Sequence, residues 1–278
     1  MDSVVALLFP AYCRLCQRNV LLRAQGAPLC PQCEKKIQVI NLGTTCYTCG
    51  EPIGFEPEYG TSSARYCEEC HTEPPAFQRA TAYGVYDDLR AVLRLFKFQS
   101  VRNLSRPLGE MLAEAILKHD LPTETLVVPV PLYRRKRIYN QSALLAQAAL
   151  PRVRAARPDC RLRFAPDALK RLHQTESQYR LSPNKRRENV RGAFGVQGNV
   201  RDQHILLIDD VYTTGATVSE CARVLLNAGA ASVRVSTLAR AGRQIATRWT
   251  PPTASMESAA QSMHGSPENI FYPVPMGP

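Results

Sequence analysis

Short apolar runs alternate with stretches of helical spacing along most of the chain after residue 80. Four runs predict strands, over residues 82–86, 126–132, 205–208 and 232–238. The third run is unbroken, as expected for a strand that is buried on both faces of a parallel sheet, and we expect the second run to be buried as well. Apolar residues at helical spacing predict four helices, over residues 89–96, 108–117, 142–150 and 217–227. Strands that alternate with helices predict an α/β fold with a parallel sheet.

The two ends of the chain lack this periodicity. Residues 1–75 contain many turn-forming residues, and the last 36 residues are rich in Pro, Ser, Thr and Gly. We therefore expect a cysteine-rich domain over residues 1–78, an α/β domain over residues 79–242 and a disordered tail over residues 243–278. A length of 278 residues with 45% hydrophobic content is sufficient for two domains and a substantial core.

Eight of the ten cysteines form four C-x-x-C pairs within the first seventy residues. Each such turn directs two thiolates to one metal, and tetrahedral zinc takes four, so two pairs make one site. Pairing in chain order predicts two structural Zn²⁺ sites, with interleaved pairing as the open alternative. The first site would comprise Cys13, Cys16, Cys30 and Cys33, and the second Cys46, Cys49, Cys67 and Cys70. We expect zinc to replace a hydrophobic core in this segment.

A disulfide framework, an iron–sulfur cluster and redox thiol pairs are the competing explanations for these cysteines. Disulfides would require export, but residues 1–12 have no basic region before a six-residue apolar stretch that ends at Pro10. This pattern is not that of a signal peptide. The six-residue apolar stretch is also far shorter than the roughly 20 residues that span a bilayer. The sequence therefore favours zinc and predicts no transmembrane segment.

Residues 205–217, ILLIDDVYTTGAT, contain the most specific chemical pattern of the chain. Asp209 and Asp210 follow a buried strand at its C-terminal end, where open α/β sheets bind their ligands. The turn that follows comprises Thr213, Thr214, Gly215, Ala216 and Thr217. Backbone N–H groups and hydroxyls at a helix N-terminus suit a phosphate group. The alternative is an ordinary strand-to-helix turn capped by threonine.

Two nucleotide-binding motifs share parts of this pattern, but neither is complete. The chain contains no G-x-x-x-x-G-K-[ST] sequence, and Gly192, Gly195 and Gly198 do not form G-x-G-x-x-G after a strand. The pattern instead resembles the motif by which type I phosphoribosyltransferases bind phosphoribosyl pyrophosphate (PRPP). This resemblance implies that the paired acids hold the ribose 2′- and 3′-hydroxyls, that the turn holds the 5′-phosphate, and that Mg²⁺ accompanies PRPP.

Basic residues concentrate between residues 126 and 200, where sixteen Arg and Lys oppose four Asp and Glu; this surplus accounts for the formal net charge of +11. Such a surplus suits either a diphosphate or a nucleic-acid backbone. Leu132, Tyr133 and Arg134 follow a strand that should lie beside the acids, and we expect them to bind pyrophosphate. For single-stranded nucleic acid, the predicted stacking residues are Tyr133, Tyr139 and Tyr179.

Residues 170–191 are polar and rich in arginine, with few residues that a core would bury. We predict a mobile lid here, because water would capture a ribosyl cation unless the site closes. Its candidate contact residues are Arg171, Gln178, Arg186 and Asn189.

From residue 13 to about residue 241, the sequence resembles the ComF/GntX family of competence proteins. The resemblance rests on the cysteine pairs, on VPVPL at residues 128–132, on Asn140-Gln141 and on ILLIDDVYTTGAT. Further matching positions are Arg171, Thr175, Gln178, Leu181, Ser182, Arg186, Asn189, Val190, Gly192, Ala193 and Phe194. The resemblance implies a type I phosphoribosyltransferase fold behind an N-terminal double zinc ribbon. It also implies a cytoplasmic role in using imported single-stranded DNA, in which DNA-uptake proteins are candidate partners.

Two positions depart from the family pattern. Residues 137–141 read RIYNQ where the family usually has RGFNQ after a longer basic run, and His173 replaces a typical arginine. We therefore expect a differently shaped pyrophosphate loop and a lid contact that depends on pH. Three functions follow as hypotheses: a phosphoribosyltransferase with an unidentified acceptor, a non-catalytic PRPP sensor, and a single-stranded DNA-binding factor.

Overall fold

The computed structural model describes residues 12–18, 29–38, 45–53, 66–98, 101–133, 139–173 and 183–242. The described residues, up to residue 242, belong to one compact unit. The described helices are α1 (Pro31–Gln38), α2 (Glu68–Thr72), α3 (Tyr86–Phe98), α4 (Ser105–Ile116), α5 (Gln141–Ala156), α6 (Pro183–Val190) and α7 (Ala216–Asn227). The described strands are β1 (Arg79–Val85), β2 (Glu124–Pro129), β3 (Arg161–Phe164), β4 (Leu169–Arg171), β5 (Phe194–Val196), β6 (His204–Tyr212) and β7 (Ser232–Arg240). The predicted tail lies outside the described residues.

Five strands form a parallel sheet in the order β1-β7-β6-β2-β3. The second and third predicted strands lie side by side within it, where β2 pairs with β6 and Val128 lies opposite Leu207. This pairing confirms that the strand preceding the predicted basic segment lies beside the strand of the paired acids. The chain leaves β2 toward β3 but leaves β6 toward β7, in the opposite direction across the sheet. The carboxyl ends of β2 and β6 therefore border a topological switch point, the usual ligand position in such sheets.

Hydrophobic cores cover both faces of the sheet. Helices α3, α4 and α5 contribute to one core, and α7 with the antiparallel pair β4-β5 contributes to the other. Cys13, Cys30 and Cys33 are buried in the first core, whereas Cys46 and Cys49 are buried in the second. The cysteine-rich segment was expected to use zinc in place of a hydrophobic core. Its described residues in fact also pack into the cores of the sheet.

Several elements extend beyond their predicted bounds for identifiable reasons. Helix α5 continues through Pro151 to residue 156, although proline usually ends or kinks a helix; Val153, beyond the proline, is fully buried and anchors the last turn. Strand β3 was not predicted, because it has no continuous apolar run. It lies at the sheet edge, where exposed Arg161 and Arg163 alternate with less exposed apolar residues. Among the residues that the structure describes, no helix is long and apolar enough to cross a membrane.

Candidate functional site

A crevice opens beside the paired acids because β2 ends earlier than β6. Strand pairing on the β2 side stops at Ile208, whose carbonyl accepts a hydrogen bond from Val130 N–H at 2.9 Å. On the other side, β6 stays paired with β7 as far as Tyr212, opposite Arg240. Asp209 and Asp210 therefore lie within a strand that is held from one side only. The predicted strand ended at Ile208, and the longer strand results from pairing with β7.

The carboxylate of Asp209 is held by hydrogen bonds from two directions. Its Oδ1 accepts from Ser142 Oγ at 3.0 Å and from the backbone N–H of Asp210 at 2.9 Å. Burial and the neighbouring charge of Asp210 nevertheless raise the pKa of Asp209 to about 7, against the opposing effect of Lys97. Asp209 therefore changes charge near neutral pH.

Asp210 has a cationic partner. The Nζ atom of Lys97, in the last turn of α3, lies 2.7 Å from Asp210 Oδ1, and both side chains are largely buried. An ion pair in this setting fixes the position of the carboxylate. The two adjacent acids thus differ: one is paired with a cation and the other is held mainly by neutral donors.

The start of α5 connects β2 to the acids. Asn140 is the N-cap of α5, and its Oδ1 accepts from Ala143 N–H at 3.2 Å. Its Nδ2 donates to the carbonyl of Val130 at 3.0 Å, just past the end of β2. This double contact fixes the first turn of α5, from which Ser142 reaches Asp209.

The predicted phosphate turn lies between β6 and α7. Gly215 has a φ of +74° and is the N-cap of α7, a left-handed conformation that favours glycine. Thr213 is exposed, and Thr214 Oγ1 accepts from Ala216 N–H at 3.4 Å. A Cβ atom at Gly215 would overlap the side chain of Tyr212. Glycine is therefore required both by the backbone conformation and by the close approach of this ring.

A buried arginine supports the same turn from behind. Arg240, the last residue of β7, donates to the carbonyl of Thr213 at 2.9 Å, and its guanidinium lies 3.9 Å from the centroid of the Tyr212 ring. It also forms an ion pair with Glu51 and lies 3.7 Å from Cys49 Sγ. The turn is therefore connected to the cysteine-rich segment through one side chain.

The antiparallel pair β4-β5 contributes a second arginine near the acids. Arg171 lies opposite Phe194 in this pair, and its guanidinium is 5.2 Å from the ring centroid. Burial lowers the pKa of Arg171, while Cys221 and Asp209 act in the opposite direction. Arg171 thus contributes to the field at Asp209.

The remaining predicted site residues are placed as follows. Leu132 and Tyr133 follow β2 and are partly exposed, Thr217 lies in the first turn of α7, and Asn189 and Arg186 lie in α6. Arg134 and Gln178 lie outside the described residues. The structure therefore brings Leu132 and Tyr133 to the end of the strand beside the acids, as the sequence predicted.

The eight predicted metal ligands form two clusters in chain order. The Sγ atoms within each cluster lie within 4.8 Å of one another, and both the Cys16–Cys30 and Cys49–Cys67 pairs are separated by 3.6 Å. Four thiolates at about 2.3 Å from a tetrahedral Zn²⁺ lie about 3.8 Å apart. The donor chemistry and spacing therefore fit zinc, and the interleaved alternative is excluded.

Three functional residues were missed by sequence reasoning: Lys97, Ser142 and Arg240. The N-cap signal of Asn140 could have placed Ser142 in the first turn of a helix beside the sheet. Lys97 and Arg240 gave no comparable signal, because a buried cation in an amphipathic helix or at a strand end has the same sequence pattern as an exposed one.

Comparison with known proteins agrees with this architecture. Residues 4–71 match the double zinc ribbon domain, and residues 138–254 match the phosphoribosyl transferase domain. The DNA utilization protein YhgH of Escherichia coli K12 is 32% identical over 243 residues, covering 84% of this chain and 99% of the relative. Competence protein F of Haemophilus influenzae is 29% identical over 245 residues, covering 82% of this chain and 96% of the relative. A hypoxanthine phosphoribosyltransferase structure from Staphylococcus aureus covers 51% of this chain and 64% of its own, at 18% identity and a TM-score of 0.30.

The parallel sheet, its domain match and the two four-cysteine clusters define a protein of the phosphoribosyltransferase fold with an N-terminal double zinc ribbon. The two relatives align with more than four fifths of the chain. The chain belongs to the ComF family. The predicted fold class and family resemblance are thereby confirmed.

Proposed function

We propose that the crevice between β2 and β6 binds PRPP together with Mg²⁺. Asp209 and Asp210 receive the ribose 2′- and 3′-hydroxyls, and residues 213–217 hold the 5′-phosphate. One observation supports this function above all others. Two adjacent carboxylates, one buried and one half-buried, precede a left-handed glycine turn that opens a helix, at the switch point of a parallel sheet.

The charges around the crevice suit phosphoribosyl transfer. Positive charge develops on the ribose ring as the C1–O bond breaks, and preorganised carboxylates at Asp209 and Asp210 stabilise it. Arg134 and its basic neighbours in residues 134–137 stabilise the departing pyrophosphate. Mg²⁺, when bound with PRPP, neutralises part of the pyrophosphate charge. The acceptor is a nucleophile that attacks C1 from the opposite side.

Closure of the crevice completes this function. The ribosyl cation must be kept from water until the acceptor attacks. We assign this role to residues 170–191, with contacts from Arg171, Gln178, Arg186 and Asn189. The electrostatic interaction between Arg171 and Asp209 supports the assignment.

The names of the relatives, competence protein F and DNA utilization protein, support a cellular context. We place the protein in the cytoplasm, where it acts after single-stranded DNA has been taken up. Its protein partners would then belong to the DNA-uptake machinery.

Calorimetric titration of PRPP with Mg²⁺ tests the site. Wild type is expected to bind, and Asp209→Asn/Asp210→Asn should lose at least about tenfold in affinity, because hydrogen bonds to charged groups contribute about 1.5–3 kcal/mol each. Asp167→Asn, at an exposed acid after β3 that has no assigned contact with PRPP, is the matched control. Equal heats from wild type and the double variant would remove the site assignment.

Release of pyrophosphate separates enzyme from sensor. Bases, amines and nucleic-acid ends are supplied in turn as acceptors, and pyrophosphate is measured with a coupled assay. A transferase releases pyrophosphate with its acceptor, whereas a sensor binds PRPP without turnover.

A second candidate function is the binding of single-stranded DNA. Tyr47 and Tyr66, on the second cysteine cluster, are 48% and 45% exposed and lie edge to face with ring centroids 6.2 Å apart. The guanidinium of Arg79 lies 4.7 Å from the Tyr47 ring centroid. Exposed rings beside a cation are the elements of a base-stacking surface. These tyrosines suit the role better than the predicted Tyr139, which packs partly buried against the first core and donates its hydroxyl to the Phe96 carbonyl.

Binding of a labelled thymidine oligonucleotide tests this second function. Its affinity should fall steeply with salt, because phosphate contacts release counterions. Tyr47→Ala is expected to weaken binding about fivefold or more, since one stacked base contributes about 1–3 kcal/mol. Tyr12→Ala removes an exposed tyrosine on the other cluster and should bind as wild type. Oligonucleotide binding that does not depend on salt, or an equal loss of affinity in Tyr47→Ala and Tyr12→Ala, would count against this second function.

A further inference from the structure

Arg240 is a buried cation whose partners belong to two different sites. Only 4% of its surface is exposed. One side of the guanidinium meets the second cysteine cluster, through the carboxylate of Glu51 and the sulfur of Cys49. The other side meets the phosphate turn, through the Thr213 carbonyl and the Tyr212 ring. The proposed function gives the charge of Arg240 no direct role in binding PRPP or in phosphoribosyl transfer.

The contact with the cysteine cluster is of the kind that supports a metal site. A hydrogen bond to a zinc-bound thiolate orients the ligand and offsets negative charge on the site. Glu51 is itself part of the knuckle, since its carbonyl accepts from Cys46 N–H at 2.7 Å. The knuckle is also fixed to the sheet, because Ala80 N–H donates to the carbonyl of Thr48 at 2.6 Å. Zinc binding therefore determines where Glu51 and Cys49 hold Arg240.

The contact with the turn determines the direction of a peptide group. The described residues contain no cis peptide bond, and across a trans peptide the carbonyl and the next N–H point in opposite directions. Because Arg240 draws the Thr213 carbonyl toward itself, the N–H of Thr214 points away from Arg240. If the turn binds the 5′-phosphate as proposed, its N–H groups must point away from Arg240 and toward the phosphate.

We propose that the second zinc knuckle is a structural part of the phosphate site, with Arg240 as the positioning residue that joins them. This inference rests on the proposed function and extends it: the metal at the second site orders the turn at residues 213–217. Coupling between two sites is reciprocal. PRPP bound with Mg²⁺ must therefore tighten zinc binding at the second site.

Hydrogen exchange of the turn tests the connection without any ligand. Arg240→Lys keeps the charge but loses the fork that bridges two partners, and the amides of residues 213–217 should then exchange faster. Arg234→Lys, in the same strand but with its side chain on Ser232, should exchange as wild type. Turn exchange that is unchanged in Arg240→Lys would overturn the inference, whatever the outcome with PRPP.

Zinc release to a colorimetric chelator provides the second readout. In Arg240→Lys, one of the two zinc equivalents should be held about 10- to 100-fold more weakly. In wild type, PRPP with Mg²⁺ should slow release of that same equivalent only. Two results would contradict the link. PRPP could still slow the release of only one zinc equivalent in Arg240→Lys, or it could bind to wild type without slowing zinc release.

Two outcomes separate this inference from the proposed function. If wild type gives no heat with PRPP, the proposed function fails, while turn exchange still decides the structural link. If Arg240→Lys does not fold, Glu51→Gln replaces it. This variant keeps Arg240 and its contact with the turn but weakens its anchor on the knuckle, so turn exchange should rise less but in the same direction.

Discussion

Asp209 and Asp210 are adjacent in the chain but have different electrostatic surroundings. Asp210 is paired with Lys97, whereas Asp209 is held by a hydroxyl and a backbone N–H. Burial raises the pKa of Asp209 to about 7 from its ordinary value of 3.8. A carboxylate kept in this setting reduces stability, which is common for residues retained for function.

The pKa of Asp209 predicts a pH-dependent gain in stability for Asp209→Asn. Because the folded-state pKa is raised, the protonated carboxyl favours folding; this contribution is complete below about pH 4 and is lost as the pH rises through about 7. Asparagine resembles the protonated form at every pH. Urea unfolding should show Asp209→Asn more stable than wild type by about 1–3 kcal/mol at pH 8 and nearly equal at pH 4. Asp167→Asn should match wild type at both values, and an Asp209→Asn less stable at pH 8 would refute the assignment.

Lys97 predicts the pH dependence of PRPP binding. Its charge lowers the pKa of Asp209, so Lys97→Gln should raise that pKa and shift the midpoint of PRPP binding upward by about one pH unit. Calorimetry with PRPP and Mg²⁺ between pH 6 and pH 9 measures the shift. Arg94→Gln, at an exposed position one turn earlier in α3, should leave the midpoint in place. A midpoint that is unchanged or lower in Lys97→Gln would contradict this view of the ion pair.

At the scale of elements, the crevice depends on where strands end. The sequence predicted β6 as far as Ile208, because the apolar run stops there, but pairing with β7 carries the strand to Tyr212. Such pairing is tertiary and leaves no mark in the apolar pattern. The acids and the glycine turn were predictable because their chemistry is local. Lys97 and Arg240 were not, since their partners come from distant parts of the chain.

The junction of β6 and α7 predicts a large difference between two glycine substitutions. Gly215 and Gly198 both have positive φ, at +74° and +79°, but only an added Cβ at Gly215 meets a close neighbour, Tyr212. Gly198→Ala should cost about 1–2 kcal/mol for the backbone conformation alone. Gly215→Ala should cost a further 1–3 kcal/mol, about the effect of overpacking. Urea denaturation measures both, and equal losses would show that the turn tolerates the overlap.

At the scale of the whole molecule, the two zinc clusters contribute to both faces of the sheet. Cys13, Cys30 and Cys33 belong to one core, and Cys46 and Cys49 belong to the other. The spacing of the cysteines predicted the two sites, because ligand geometry is local. Their packing on opposite faces depends on the course of the chain around the sheet, which the spacing does not encode.

This arrangement predicts two zinc equivalents per chain and a stability that depends on them. Removal of zinc by a chelator should lower the urea midpoint of the whole compact unit, because metal binding is coupled to folding. Metal analysis by mass spectrometry and unfolding monitored by circular dichroism provide the measurements. A gently purified chain that carries no metal yet unfolds at the same midpoint would show that the cysteines have another role.

A crystal structure of the protein with PRPP and Mg²⁺ tests the central claim most directly. We expect electron density for the sugar in the crevice between β2 and β6, with its 2′- and 3′-hydroxyls within hydrogen-bonding distance of Asp209 and Asp210. The 5′-phosphate should contact the backbone of residues 213–217. Density for the sugar away from Asp209 and Asp210, with the crevice closed by protein side chains, would contradict the account.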